Sequence, residues 1–237
     1  MGLTLHYGLK SAARTPSDAR ALVARLRSRA LDLPFADVGE LAELTSASEM
    51  HDLDRENPLR WLVCQAAHYV EHGGYHFDIT PSHLIAFVTM PGDGSEPANF
   101  GLCRYPTTTV VELEKGQRRR IKTGVKADEW TWSSFCKTQY ASDPKCGGVQ
   151  NFLKCHLLVT AILDRAKSLG ILEEVSDEGG FWEHRDAEAL AKEVGGWNAM
   201  IAGVAGQLKD LMGDQLVAPI TQYPTFEHLE AEGRAGE

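Results

Sequence analysis

Three consecutive stretches decide the fold: WTWSSFCKTQYA (130–141), a long apolar run that begins at Val149, and LEEVSDEGGFWEHRD (172–186). The first alternates with a period of two, as a strand does. The second repeats apolar residues at spacings of three and four, which is the pattern of a buried helix. The third begins with a strand-like run at Leu172–Val175. Together these stretches predict a β-α-β passage over residues 130–177.

The alternation in the first stretch separates two faces. One face carries Trp130, Trp132, Cys136 and Tyr140, and the other carries Phe135, Lys137 and Gln139. Large aromatic side chains are usually buried, so we expect the first face to lie in the core. The second face then presents the polar pair Lys137 and Gln139.

The apolar run predicts a helix from Val149 to Leu169 with one packing seam. The seam consists of Phe152, Cys155, Val159, Ile162, Ala166 and Leu169. A thiol in such a seam belongs to the core, so Cys155 is not expected to act as a nucleophile. The five cysteines are odd in number and include no C-x-x-C pair, which indicates neither a disulfide framework nor a zinc ribbon. Cys146, in the loop SDPKCGG, is the thiol that we expect to be exposed.

Residues 3–44 predict a second β-α-β passage. A strand at Leu3–Leu9 is followed by a helix that Thr15 caps and Pro16 opens, and a strand returns over residues 35–44. The segment from Asn57 to Val70 fits either a helix or a strand.

Further elements lie between and after the two passages. His83–Met90 predicts a buried strand, and PGDGSEPANFG (91–101) predicts the loop that follows it. Residues 108–124 predict a hairpin around Lys115-Gly116. Asp186 caps a last long helix, in which four glycines, Gly195, Gly196, Gly203 and Gly206, imply a kink or close backbone packing.

This order of elements predicts an α+β fold with a mostly antiparallel or mixed sheet and helices packed on it. We expect a single domain over residues 1–213, followed by a C-terminal tail over residues 214–237. The two β-α-β passages also allow a division of the domain into two related halves, about 1–80 and 81–213.

Composition narrows the classes of function. The chain has 237 residues, of which 43% are hydrophobic, and a formal net charge of −9. This charge argues against general nucleic-acid binding and against attraction to an anionic membrane. The N-terminal MGLTLHYGLK lacks the apolar region of a signal peptide, and no apolar run approaches the roughly 18–20 residues of a membrane span. We therefore expect a soluble, cytoplasmic protein.

Two polar clusters follow the predicted strands of the second passage. Lys137-Thr138-Gln139 ends one strand, and Asp177-Glu178-Gly179-Gly180 ends the next, with Trp182, Glu183 and His184 beside it. If the crossover is parallel, both strands end at the same edge of the sheet, and the clusters share one pocket. The candidate binding residues are Lys137, Gln139, Asp177, Glu178, Trp182 and His184. In the alternative interpretation, the carboxylates only form turns and caps, and Lys137 belongs to an internal salt bridge.

The sequence His68-Tyr69-Val70-Glu71-His72 matches the pattern H-x-x-E-H of some zinc hydrolases. On a helix, His68 and His72 would project from one face and could bind zinc, with Glu71 as the base. Gly73-Gly74 would end such a helix at once, and no third ligand stands out. A surface histidine cluster is therefore the favoured interpretation, and we expect no metal and no cofactor.

A basic run in this acidic chain is the third candidate. It comprises Lys115, Arg118, Arg119, Arg120, Lys122 and Lys126. Alternation on a hairpin would divide these charges between two faces, and no aromatic residues are interleaved with them as in single-strand binding proteins. A solvated hairpin is favoured over an anion site.

Three segments of the chain resemble a bacterial family of uncharacterised proteins. They are PGDGSEPANFGLCRYP (91–106), WTWSSFCKTQYAS (130–142) and DEGGFWEHRD (177–186). The resemblance implies that these segments belong together, and it implies no activity, substrate or cofactor.

The sequence therefore predicts a binding or interaction module with a polar pocket at strand ends, for an unidentified small molecule or protein. The alternative is a hydrolase, either metal-assisted through His68 and His72 or acting by acid and base through Glu178 and His184.

Overall fold

The N-terminal strand lies inside the main sheet, between two strands from the second half of the chain. In the computed structural model, which describes residues 3–54, 56–57, 59–113, 116–212 and 218–235, β1 (Thr4–Ser11) pairs with β10 (Trp130–Lys137) on one side and with β11 (Leu172–Asp177) on the other. The order across the sheet is β11-β1-β10-β7-β6-β2, with β3 also paired to β6.

The other strands follow in chain order. They are β2 (Asp37–Val38), β3 (Ala42–Leu44), β4 (His68–His72), β5 (Tyr75–Ile79), β6 (His83–Met90), β7 (Ala98–Arg104), β8 (Thr108–Glu112) and β9 (Arg118–Lys122). β4 pairs with β5, and β8 pairs with β9, as two separate hairpins. The helices are α1 (Pro16–Leu31), α2 (Ala47–His51), α3 (Leu59–Gln65), α4 (Gly148–Ser168), α5 (Phe181–His184), α6 (Ala187–Met212) and α7 (Phe226–Ala235).

Adjacent strands of the main sheet are antiparallel, and helices pack against the sheet, so the predicted α+β class is confirmed. Because β10 and β11 are each antiparallel to β1, they run parallel to each other. The crossover through α4 is thus a β-α-β passage, as predicted, with β1 inserted between its two strands. β1 and β2 are likewise parallel, and three strands lie between them.

Helices α1 and α4 cover one face of the sheet. Thr15 and Asp18 form a capping box at the start of α1, and the face of this helix that contains Ala19, Val23, Leu26 and Ala30 is buried. Phe152, Cys155, Val159, Ile162 and Ala166 of α4 are all completely buried, which confirms the predicted seam. These helices pack against Leu5 and Leu9 of β1 in one continuous core.

The glycines of α6 have two different roles. A side chain at Gly203 would meet the backbone of Gly233 in α7 at 3.0 Å, whereas at Gly196 nothing lies within 4 Å. Close backbone packing is therefore confirmed where α6 meets α7. The segment predicted as a C-terminal tail contains α7, which packs on α6 through a small cluster that includes Ala202 and Phe226.

Several local predictions need correction. Residues 35–44 form two short strands instead of one, and β7 begins at Ala98, inside the segment predicted as a loop. The segment from Asn57 to Val70, which fitted either a helix or a strand, contains both a helix, α3, and the start of a strand, β4. The predicted hairpin over 108–124 is confirmed by the pairing of β8 with β9; Lys115 lies outside the described residues.

The predicted faces of Gln139 and Tyr140 are reversed. Gln139 is buried, whereas Tyr140 is 52% exposed. The strand ends at Lys137, and residues Gln139–Ser142 form a turn of 3-10 helix, so the period of two does not continue beyond the strand.

Candidate functional site

The predicted polar clusters meet at one edge of the sheet, around the first residues of β1. Thr4 is paired with Lys137 on one side, and Leu5 is paired with Asp177 on the other. The Leu3 N–H donates to Gln139 Oε1 at 3.3 Å, and the Thr4 N–H donates to Glu178 Oε2 at 3.0 Å. The expected shared edge is thus confirmed, and both side chains hold the main chain of β1 there.

Asp177 belongs to a buried chain of hydrogen bonds. Its Oδ2 lies 3.1 Å from Nε2 of His156, and Nδ1 of His156 lies 3.0 Å from Oγ1 of Thr138. The side chains of Asp177 and His156 are completely buried, as is Thr138. This chain links the end of β10, helix α4 and the end of β11, and it is closed to solvent.

The surroundings of Asp177 favour its ionised form. Burial by itself would raise the pKa of this carboxyl group, but the hydrogen bond and charge of His156 and the N–H groups of Trp182 and Gly179 hold the pKa below its ordinary value. The Gly179 and Trp182 N–H groups donate to its two oxygens at 2.8 Å each. The carboxylate therefore also orders the turn that leads into α5.

The side chains of the other candidate binding residues, Lys137, Trp182 and His184, do not join this buried chain of hydrogen bonds. Lys137 Nζ lies 3.2 Å from the hydroxyl oxygen of Tyr140 and 4.7 Å from the centre of its ring. Trp182 stacks under the guanidinium of Arg185 at 4.3 Å, and His184 is exposed. Ligand binding by these six residues stays a prediction, because the contacts at this edge are to the protein itself.

Zinc binding by His68 and His72 would require a helix, and the alternative prediction of a helix at these residues is wrong. Both residues belong to β4, where four residues span about 13 Å. One zinc ion binds histidine nitrogens at roughly 2 Å and could not reach both side chains from this strand. His68 Nε2 instead lies 3.2 Å from the carbonyl oxygen of Thr123. Within the described part of the chain, no group of three or more metal-ligating side chains is placed to hold an ion.

The basic hairpin divides its charges as predicted. Arg118, Arg120 and Lys122 alternate along β9 and are exposed, and Ile121 between them is buried. Arg119 shares the face of Ile121 and is also exposed at its end of the strand. The arrangement is that of a solvated hairpin anchored by Ile121 of β9 and Val111 of β8.

A concave feature lies on the other face of the sheet from α1 and α4. It is a groove of about 1030 Å³ over strands β11, β1 and β10. Its floor is formed by His6, Gly8, Ser133, Phe135, Glu174 and Ser176. In the strand register His6 lies between Phe135 and Ser176, and Gly8 lies between Ser133 and Glu174. We refer to this feature as the sheet groove.

One wall of the sheet groove is built by α3 and the start of β4. Trp61 is 71% exposed and Tyr69 is 72% exposed, and Phe135 on the floor is 45% exposed. Gln65 holds this wall to the sheet, because its Oε1 accepts hydrogen bonds from Nδ2 of Asn99 and from Oγ of Ser134. The aromatic wall is therefore fixed in place while its rings face solvent.

The polar groups of the groove were missed by the sequence analysis. A signal was available in β1 and β10, where a polar residue alternates with buried ones: His6 lies between Leu5 and Tyr7, and Ser133 lies beside Trp132. Such alternation means that one face of the sheet lacks a covering layer. Trp61 and Tyr69 gave no signal, because their segment fitted either a helix or a strand.

The cysteines divide by burial. Cys103, Cys136 and Cys155 are buried, and burial raises the pKa of Cys155 to about 11 and that of Cys136 to about 12. The prediction that Cys155 is a core residue is confirmed. Cys146 is half-buried, and the exposed thiol is Cys64, at the wall of the sheet groove.

No family model, curated protein or solved structure matches the chain. The resemblance to an uncharacterised bacterial family therefore stays a prediction. None of the helices described here is long and apolar enough to cross a membrane.

Proposed function

We propose that the protein is a binding module and that the sheet groove is its binding site. The observation that carries the proposal is the set of large aromatic side chains, Trp61, Tyr69 and Phe135, that stay exposed around one concavity. Exposed aromatic residues cost hydration free energy unless a partner covers them, and they are enriched where partners bind tightly.

The surrounding polar groups supply the other part of a binding site. The exposed side chains of His6, Ser133 and Ser176 line the floor between the aromatic groups. A site that combines apolar surface with a few polar groups can orient a ligand as well as bury it. In contrast, the hydrogen-bonded chain from Thr138 to Asp177 is fully buried and offers no surface to a ligand.

The proposal is tested by NMR mapping of fragment binding. Isotope-labelled protein is titrated with indole, phenol and benzylamine, and the backbone amide shifts are followed. We expect the perturbed amides to concentrate on residues 6–8, 61–69 and 131–135, because the fragments should pack against the exposed rings. Trp61→Ala should weaken fragment binding at least about fivefold, as removal of a central aromatic contact does.

Tyr75→Ala is the matched control. Tyr75 is 44% exposed but does not line the groove, so its removal should leave the fragment affinity unchanged. Shift changes that are spread over the whole surface, or an affinity equally reduced by both variants, would contradict the groove as the binding site.

A further inference from the structure

The sheet groove is acidic. Three carboxylates line it, Glu96, Glu173 and Glu174, and none of the described residues that line it is a lysine or an arginine. The chain as a whole also carries a net charge of −9. A site of this charge attracts cations and repels anions.

The three carboxylates are not equally engaged. Glu173 pairs with Lys10 at 3.3 Å, and Oε2 of Glu96 accepts a hydrogen bond from the Lys137 N–H at 3.1 Å. The carboxylate of Glu174 has no ion pair or hydrogen bond among the described residues, and the residue is exposed. Its charge is therefore available to a ligand.

Gly8 gives Glu174 its position. A Cβ atom at Gly8 would lie 3.0 Å from Cγ of Glu174, so the missing side chain lets Glu174 lie over the neighbouring strand β1. Oε1 of Glu174 lies 3.4 Å from the position of that Cβ atom, so the carboxylate extends over β1 at the floor of the groove.

The aromatic side chains of the groove also favour a positively charged ligand. The faces of tryptophan, tyrosine and phenylalanine rings attract ammonium and guanidinium groups through the ring quadrupole. Asn99, which lines the groove and is 4% exposed, also has a buried Oδ1 with no hydrogen-bond partner among the described residues. An unpaired acceptor of this kind favours a ligand that donates hydrogen bonds.

The shape of the groove favours an extended ligand. Trp61 and Tyr69 remain more than two-thirds exposed, so the groove does not enclose a small molecule in the way that most small-molecule sites do. β11 is also the last strand of the sheet, and no other described strand pairs with its outer edge. Extended peptides commonly bind beside such strand edges, and their alternate side chains enter the adjoining site.

We infer that the sheet groove binds an extended peptide segment. The lysine or arginine side chains of the peptide contact the carboxylate of Glu174 and the exposed aromatic rings. The inference rests on the proposed function and adds the chemical class of the ligand. It assigns Glu174 a part in charge selection and Trp61 a part in apolar contact, so the two contributions can be separated by experiment.

The test uses three fluorescein-labelled heptapeptides of the pattern X-Thr-X-Val-X-Thr-X, in which X is lysine, glutamine or glutamate. Binding to the protein of residues 1–237 is measured by fluorescence anisotropy at fixed ionic strength. We expect the lysine peptide to bind most tightly and the glutamate peptide most weakly. Glu174→Gln should weaken binding of the lysine peptide about two- to fivefold, in the range of one exposed ion pair. Trp61→Ala should weaken binding of the lysine and glutamine peptides.

Glu40→Gln is the charge-matched control. Glu40 is 93% exposed and follows β2, at the opposite end of the sheet from β11, so its loss should not affect the peptide affinity. Equal losses in Glu174→Gln and Glu40→Gln would show that only the net charge attracts the peptide, and would overturn the inference.

Two further outcomes separate the inference from the proposed function. If the glutamine or glutamate peptide binds as tightly as the lysine peptide and still depends on Trp61, the groove is a binding site but does not select cations. If none of the peptides binds while aromatic fragments do so in a Trp61-dependent manner, the inferred peptide class is wrong and the proposed function stands. Loss of both kinds of binding would remove both proposals.

Discussion

At the scale of single residues, Asp177 is a buried carboxylate that stabilises one edge of the sheet. Its carboxylate accepts hydrogen bonds from His156, Gly179 and Trp182 and is completely buried. Asp177→Asn would leave buried donors without a charged acceptor, so we expect a loss of about 3–5 kcal/mol in the free energy of unfolding. Urea denaturation of both proteins measures this difference. Asp164→Asn is the control, because Asp164 forms an exposed pair with Arg185, and its removal should cost about 1 kcal/mol or less.

The effect of Asp177 should depend on pH with a definite sign. The pKa of its carboxyl group is lower in the folded protein than its ordinary value, so the folded state binds the proton less readily than the unfolded state. The stabilisation is fully present above the unfolded pKa of about 4 and is lost as the pH falls through the lower, folded pKa. Melting temperatures of the two proteins should therefore converge on acidification below about pH 4. A constant difference down to pH 2 would contradict this assignment.

Some of these residue contacts could be predicted from the sequence and others could not. The parallel crossover was enough to place Gln139, Asp177 and Glu178 at one edge, since the ends of its two strands must coincide there. The partner of Asp177 was not predictable, because His156 lies on the apolar surface of α4 and has no local pattern that distinguishes it from a packing residue. The reversal at Gln139 and Tyr140 arose because periodicity carries no information on where a strand ends.

At the scale of elements, α4 is the helix whose orientation the sequence defines best. Phe152 is completely buried and Lys154 is exposed, as the spacing of apolar residues predicts. Phe152→Ala should lower the free energy of unfolding by about 3–5 kcal/mol, because it removes buried contacts and leaves a cavity. Lys154→Ala should change it by less than about 0.5 kcal/mol. Equal melting shifts for the two variants would contradict the burial of this helix face.

Two glycines at the α6–α7 pair should respond to alanine with opposite signs. At Gly196, inside α6, nothing lies within 4 Å of an added Cβ atom, so Gly196→Ala should stabilise the helix by up to about 1 kcal/mol. At Gly233 of α7, an added Cβ atom would overlap the carbonyl oxygen of Ala199, so Gly233→Ala should force α7 away from α6. Thermal unfolding should show a higher melting temperature for the first variant and a lower one for the second. A rise in both would mean that the two helices are not in backbone contact.

Helices and strands were predicted correctly where one periodicity extends over many residues. The prediction failed where a short helix is followed closely by a strand. The seam of α4 repeats over five turns, whereas α3 has seven residues and is followed almost at once by β4. A short apolar run fits both periods equally, so the wall that carries Trp61 and Tyr69 could not be assigned. The sheet groove was missed for the same reason.

At the scale of the whole molecule, the strand order shows how the two ends of the chain depend on each other. β1 separates β10 from β11, and β6 pairs with β2 and β3. Strand order depends on long-range pairing that no local pattern encodes, so the sequence predicted the class of sheet without its order. The two possible halves, residues 1–80 and 81–213, are therefore joined through shared hydrogen bonding, whatever their relationship in sequence.

This interlocking predicts that neither half folds alone. A fragment of residues 81–237 would lack β1, which leaves the facing edges of β10 and β11 unpaired and removes Leu5, Tyr7 and Leu9 from the core. It would also expose the edge of β6 that β2 and β3 cover. Unpaired backbone groups and lost apolar burial are each costly compared with the small net stability of a domain.

We expect the amide NMR spectrum of the fragment to be poorly dispersed, and we expect dispersion to return when residues 1–80 are added as a separate chain. The break at residue 80 lies in the short connection between β5 and β6, so the division itself interrupts no strand. A well-dispersed spectrum from residues 81–237 alone would show instead that the second half forms a stable sheet without β1.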